Sequence, residues 1–161
     1  MKKLAKLLLS GLLTVAVLAG CSNNTNTDEP TTVGGILFKE FSEVVEGKTA
    51  FEIADALATS ETLPFMGGAM EIEEGFLSGF DNFEVKGFKS GAMFGPMMGT
   101  IPFVGYIFEL EEGADVEAFK TSLKDNANLR WNICTEAEEM TVENEGNIVF
   151  FLMSPTEFEA E

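Results

Sequence analysis

The chain has 161 residues, of which 27 are acidic and 10 are basic, so its formal net charge is −17. An apolar content of 45% excludes wholesale disorder, and the length suits one domain. This acidic composition argues against nucleic-acid binding, which needs clustered Lys and Arg. The sequence also contains no histidine, so a histidine-based catalytic triad or metal site is excluded.

The first twenty residues have the pattern of an export signal. Lys2, Lys3 and Lys6 precede an apolar run, Leu7–Val17, that is too short for a membrane span of about 20 residues. The run ends in Leu-Ala-Gly-Cys at residues 18–21, which resembles the bacterial lipobox, whose cysteine is acylated on sulfur before cleavage. The alternative is an ordinary secretory signal with a chance cysteine. We predict a lipoprotein signal peptide at residues 1–20 and lipidation of Cys21.

These predictions place the protein at the cell membrane, lipid-anchored on the extracytoplasmic face. Residues 21–32 are polar and aperiodic, which predicts a flexible tether, and residues 33–161 then form a single globular domain. Cleavage after residue 20 removes three lysines and no acid, so the charge changes from −17 to −20. An acidic body repels anionic headgroups, so we expect it to stand off the bilayer and to contact the membrane through the lipid on Cys21.

The N-terminal half of the domain predicts two helices and two short strands. Apolar residues between 36 and 45 have loose helical spacing that stops at Gly47, and Thr49 to Glu52 form a capping-box pattern ahead of a helix reaching about Thr59. Further along, apolar and charged residues alternate at 70–73 and at 83–86, as in half-buried strands.

The C-terminal half predicts a central strand, a helix and a hairpin. The Phe103–Leu110 segment is almost entirely apolar, as expected of a strand inside a sheet. Asp115 can cap a helix whose apolar face extends to Ile133, and strands at 140–143 and 148–153 flank a turn. A second capping-box pattern at residues 154–157 predicts a short terminal helix. The fold class is α+β: an antiparallel sheet of about four to five strands with helices packed on one face.

This order of elements resembles a family of small uncharacterised lipoproteins from Gram-positive anaerobic bacteria that carry a domain of unknown function. The resemblance covers about residues 49 to 154. It rests on the opening helix, the Ser-Gly-Phe-Asp corner at 78–81, the Met97-Met98 segment before the Phe103–Leu110 strand, the helix after Asp115 and the last strand into Ser154. It implies an envelope lipoprotein with one compact domain, and it supplies no catalytic residues.

The segment Ser90–Phe108 is nineteen residues long and contains no charge. A membrane span is disfavoured because prolines and glycines interrupt it. One alternative is two buried strands joined by an apolar loop. The other is an exposed contact patch made of Phe94, Met97, Met98 and Ile101, since methionine suits adaptable surfaces. The same thioethers would be soft ligands for Cu(I), although no histidine or cysteine pair supports such a site.

The remaining glutamates, the second cysteine and the serines are better explained by structural roles than by catalysis or metal binding. Glutamates cluster near residues 71–74, 109–112 and 136–139, where a solvated strand face is the first interpretation and calcium binding or acid–base catalysis the alternative. Once Cys21 carries lipid, Cys134 has no disulfide partner, and we expect it to be a buried thiol. No serine-nucleophile pattern occurs. We therefore predict no catalytic residues, no metal and no cofactor.

These observations predict a non-catalytic binding or interaction module held at the envelope. Its partner would be an envelope protein or a small ligand, and not nucleic acid. One alternative is an assembly partner of a membrane complex that uses the apolar 94–101 loop. A second is a carboxylate-dependent hydrolase, which needs two convergent acids in a cleft, at least one with a raised pKa. A pocket would favour ligand binding, and a flat surface with a protruding apolar loop would favour a larger partner.

Overall fold

The computed structural model describes residues 29–98 and 100–158. Within these ranges the helices are α1 (Val33–Val44), α2 (Ala50–Ala58) and α3 (Val116–Asn126). The strands are β1 (Gly67–Ile72), β2 (Gly75–Phe76), β3 (Glu84–Val85), β4 (Ser90–Pro96), β5 (Val104–Glu109), β6 (Glu139–Glu145) and β7 (Ile148–Ser154). The predicted signal peptide, Cys21 and the tether up to residue 28 lie outside the described residues.

Five strands form one antiparallel sheet in the order β1-β4-β5-β7-β6, and β2 pairs with β3 in a separate small sheet. The α+β class and the antiparallel sheet are therefore confirmed. Strand β5 is at the centre, as its apolar sequence predicted, because a strand covered on both faces must be apolar at every position. The β6–β7 hairpin is also confirmed, and Gly146 at its turn has the positive φ of 58° that such a turn favours.

Two apolar clusters cover the two faces of the sheet. Helices α1 and α2 pack on one face, where Phe41 of α1 lies 5.4 Å from Phe150 of β7 between ring centroids. Helix α3 packs on the other face, where Phe119 meets Phe108 of β5 edge-on at 5.3 Å. The expected placement of the helices on one face holds for α1 and α2 and is wrong for α3. Periodicity defines an apolar stripe on a helix, but it does not define which face of the sheet receives that stripe.

Local capping explains where the helices begin. Thr49 accepts a hydrogen bond from the amide of Glu52, and the Glu52 carboxylate accepts one from the amide of Thr49, so the predicted capping box is present. This backbone hydrogen bond is the main cause of the lowered pKa of Glu52. Asp115 caps α3 through the amide of Ala118, also as predicted.

Two C-terminal predictions are wrong. Helix α3 ends at Asn126, so Ile133 does not continue its buried face and is 94% exposed. No helix begins between residues 155 and 158, although the sequence there has the capping pattern. The amide and hydroxyl of Thr156 instead donate to the carboxylate of Glu138, which lies beside the end of β7. The hydroxyl of Ser154, which would have capped the helix, instead donates to the carboxylate of Glu139 at 3.3 Å.

Candidate functional site

The uncharged segment 90–108 forms two paired strands and the loop between them. Gly91 to Phe94 of β4 pair with Gly105 to Phe108 of β5, and most of their side chains are buried. The prediction of two buried strands joined by an apolar loop describes this segment correctly. The membrane-span alternative is wrong because the segment is folded as strands, and no helix among the described residues is long and apolar enough to cross a membrane.

The structure divides the four residues of the predicted contact patch. Phe94 is fully buried, with its ring packed over Gly105 on the neighbouring strand, so its place in an exposed patch is wrong. It points to the face that α1 and α2 cover. Ile101 is half-buried against the same core cluster. Met97 and Met98 are 65% and 87% exposed, so the exposed part of the patch is reduced to the two methionines.

An open cleft of about 460 Å³ lies beside these methionines, at the end of the sheet where β1 begins and β4 ends. Its floor consists of Met70 and Met93, which are cross-strand partners, and of Gly68 and Gly95, which are also partners. The side chain of Met97 lies above Gly68, where a Cβ atom at position 68 would be 3.1 Å from Cγ of Met97. The two glycines leave space in the sheet surface that larger side chains would fill.

The opposite wall of the cleft comes from a distant part of the chain. Trp131 and Asn132 line it, and two hydrogen bonds to the carbonyl oxygen of Thr100 hold their loop in place. The Asn132 amide donates at 3.3 Å and the Thr135 hydroxyl at 2.9 Å. No pattern in the sequence connects Trp131 with the loop that contains Met97 and Met98. The one feature of Trp131 that stands out in the sequence is that it is the single tryptophan of the chain.

A third wall includes Ser78, which a buried tyrosine positions. The hydroxyl of Tyr106 donates to the backbone oxygen of Ser78 at 2.8 Å. Burial raises the pKa of Tyr106 well above its ordinary value, so the phenol stays protonated and keeps this hydrogen bond at any ordinary pH. Ser78 and Asn132 supply polar groups to a lining that is otherwise apolar or glycine.

The described lining of the cleft contains no charged residue, although the chain is strongly acidic. Neither Glu109 of β5 nor Glu138, just before β6, lines the cleft, and both have lowered pKa values because Lys89 donates to the first and the Thr156 amide to the second. A catalytic acid needs the opposite shift. Within residues 29–98 and 100–158, no three acidic or cysteine side chains are grouped to hold a metal ion. The Cu(I) alternative, which would use the thioethers of Met97 and Met98, stays a prediction, and of these two Met97 lines the cleft.

The remaining cysteine differs from its prediction. Cys134 is exposed, and not a buried thiol, because it lies in the loop after Trp131 and Asn132 and not on a helix or strand. Its neighbour Ile133 is exposed as well. An exposed thiol close to the cleft is a useful position for a chemical probe.

Comparisons with known proteins found no relative of this chain. No protein-family model, no curated protein and no solved structure matches it. The resemblance to small lipoproteins of Gram-positive anaerobes therefore stays a prediction, and the interpretation of the cleft depends on its residues alone.

Proposed function

We propose that the chain is an extracytoplasmic lipoprotein, anchored through Cys21, whose cleft binds an uncharged and largely apolar ligand without chemical conversion. The observation that carries the binding role is an uncharged cleft in an acidic protein. Its 460 Å³ lie within the range of about 300–1,000 Å³ usual for small-molecule sites. Ser78 and Asn132 provide the few polar contacts that orient a ligand in such a site.

The distribution of charge supports a neutral ligand over an anionic one. Trp131 and Asn132 lie between Arg130 and Glu136, which form an ion pair at 3.4 Å, so this nearby arginine is engaged by a carboxylate. Lys89 is engaged by Glu109. An anion approaching the cleft would be repelled by the excess of carboxylates on the protein. Neither Arg130 nor Lys89 would attract it strongly, because each is already paired with a glutamate. A catalytic carboxylate pair, as the hydrolase alternative needs, has no counterpart in the described lining.

A cleft-filling substitution tests the ligand site. A Cβ atom at Gly95 would have its nearest neighbours at 3.5 and 3.7 Å, which are ordinary contacts, so Gly95→Leu is expected to fold and to place its side chain in the cleft. The probe is N-phenyl-1-naphthylamine, an uncharged apolar fluorophore, followed by energy transfer from Trp131. We expect saturable transfer with the native chain and at least a tenfold weaker apparent affinity with Gly95→Leu.

Thr121→Leu is the matched control because it adds the same side chain on the exposed side of α3, outside the cleft. It should bind the probe like the native chain. The probe also partitions into detergent, and it does so equally with all three proteins. Only differences in energy transfer between the proteins therefore measure binding in the cleft. Equal transfer in Gly95→Leu and the native chain would contradict the proposal. A second, anionic naphthalene sulfonate probe should bind more weakly than the neutral one.

The alternative of an assembly partner has one specific observation in its favour, the exposure of Met97 and Met98 on a loop. In that case Gly95→Leu would bind its partner normally, because the substitution fills the cleft and leaves both methionines exposed.

A further inference from the structure

Large apolar side chains are exposed together at one end of the sheet. Met66, Met97, Met98 and Ile133 are 79%, 65%, 87% and 94% exposed. They are neighbours in the fold, since the amide of Met97 donates to the carbonyl of Met66 at 3.1 Å and the loop containing Ile133 is bonded to Thr100. We call this group the methionine end.

The methionine end is built from three uncharged stretches of the sequence, residues 62–70, 90–108 and 131–135. A single uncharged stretch can occur by chance. Here three uncharged stretches meet at one end of a protein with net charge −17, and together they form a surface suited to an apolar environment. The Arg130–Glu136 ion pair flanks the third stretch, so the nearest charges on that side neutralise each other.

Helix α1, the first helix after Cys21 in the described chain, begins at the same end of the sheet. The amide of Val33, the first residue of α1, donates to the carbonyl of Thr156 just beyond β7. Strand β7 ends beside the start of β5, where Met153 pairs with Val104, and β5 starts beside the end of β4. Three strand spacings of about 4.8 Å separate β7 from β1, so Val33 is on the order of 15 Å across the sheet from the methionine end.

The length of the connecting chain limits how far this end can be from a lipid anchor. Eleven residues lie between Cys21 and Val33, and the twelve residue steps of this connection reach at most about 40 Å when fully extended. An anchor on Cys21 therefore leaves this end of the sheet within reach of the membrane.

We propose that the methionine end docks on the surface of the bilayer that holds the anchor, with Met66, Met97 and Met98 at the level of the headgroups. This inference rests on the proposed lipidation of Cys21. It replaces the expectation that the acidic body stands off, because repulsion from anionic lipid acts on the charged surface and not on an uncharged end. Unbranched, polarisable methionine side chains suit an irregular and mobile lipid surface.

Two acids at this end of the sheet, beside the end of β7, are engaged by backbone donors. Glu138 accepts from Thr156, and Glu139 accepts from the amide of Gly34 at 2.6 Å. Because Met97 lines the cleft, docking brings the cleft next to the lipid, where apolar molecules dissolved in the bilayer reach it.

The single tryptophan tests the docking. The native lipidated chain is reconstituted in phosphatidylcholine vesicles whose acyl chains carry bromine either close to the headgroups or deep in the bilayer. Bromine quenches tryptophan fluorescence only at short range. We expect shallow bromines to quench Trp131 at least twofold more than deep ones, and we expect Met97→Ser/Met98→Ser to lose most of this quenching while remaining anchored.

Phe76→Ser is the matched control because Phe76 is 71% exposed and does not line the cleft. It should be quenched like the native chain. Absence of quenching in the native anchored chain, or full quenching in the double methionine variant, would overturn the docking proposal. The acylation state of Cys21, measured by mass spectrometry on the same sample, is a separate result: an unacylated Cys21 refutes the anchor, whereas an acylated chain with unquenched Trp131 refutes the docking alone.

Discussion

Replacement of Phe94 by alanine is expected to lower the free energy of unfolding by about 3–5 kcal/mol, the cost of removing a fully buried phenylalanine. The Phe94 side chain has no exposed surface, and its ring covers Gly105 on the central strand. It also lies 5.8 Å from Phe103 and 6.3 Å from Phe150 between ring centroids. Its removal leaves a cavity between the sheet and the α1–α2 layer that these rings cannot fill without moving. Urea denaturation followed by circular dichroism measures the loss.

The double substitution Met97→Ser/Met98→Ser is the control for this experiment. Both side chains are mostly exposed, so we expect a change within about 0.5 kcal/mol, as for ordinary surface positions. Together, the two variants distinguish the core residue Phe94 from the exposed residues Met97 and Met98 of the same uncharged segment. A loss above about 2 kcal/mol in the methionine variant would show that the methionines belong to the core, and the docking surface would then be wrong.

Replacement of Cys21 by serine is expected to abolish incorporation of fatty acid into the protein. The thiol of a lipobox cysteine is the nucleophile that receives the lipid, and a serine hydroxyl is a far weaker nucleophile. Each buried methylene of an acyl chain contributes about 0.8 kcal/mol to membrane binding, so two or more chains give a firm anchor that the variant lacks. Cells are fed an alkyne-bearing fatty acid, and the label on the immunoprecipitated protein is counted.

Cys134→Ser is the matched control for the lipidation experiment. Cys134 is the other cysteine of the chain and is exposed, so its replacement should leave both the fold and the label unchanged. Label retained by Cys21→Ser, or lost from Cys134→Ser, would contradict the assignment of Cys21. A count of free thiols in denatured native protein gives a second reading, with one expected per chain if Cys21 is acylated and two if it is not.

Features that depend on neighbours in the sequence were predictable. The capping box at Thr49, the cap at Asp115 and the turn before Ile148 depend on contacts within a few residues, and each is present. The central position of β5 was predictable because a strand covered on both faces shows no alternation of polar residues.

Features that depend on contacts distant in the sequence were not predictable. The alternative of an exposed patch included Phe94 because glycine and methionine around it obscure the alternation that shows which strand face is buried. The cleft was missed because the contacts that bring its walls together are distant in the sequence, such as those of Asn132 and Thr135 with the Thr100 carbonyl, 32 and 35 residues earlier. Cys134 is exposed because it lies in the loop between Asn132 and Thr135.

Intact-protein mass spectrometry of material extracted from cell membranes tests the central claim most directly. The account predicts a chain that begins at Cys21 and carries fatty acid on its sulfur. A chain with Met1 intact, or a processed N-terminus without fatty acid, would contradict it.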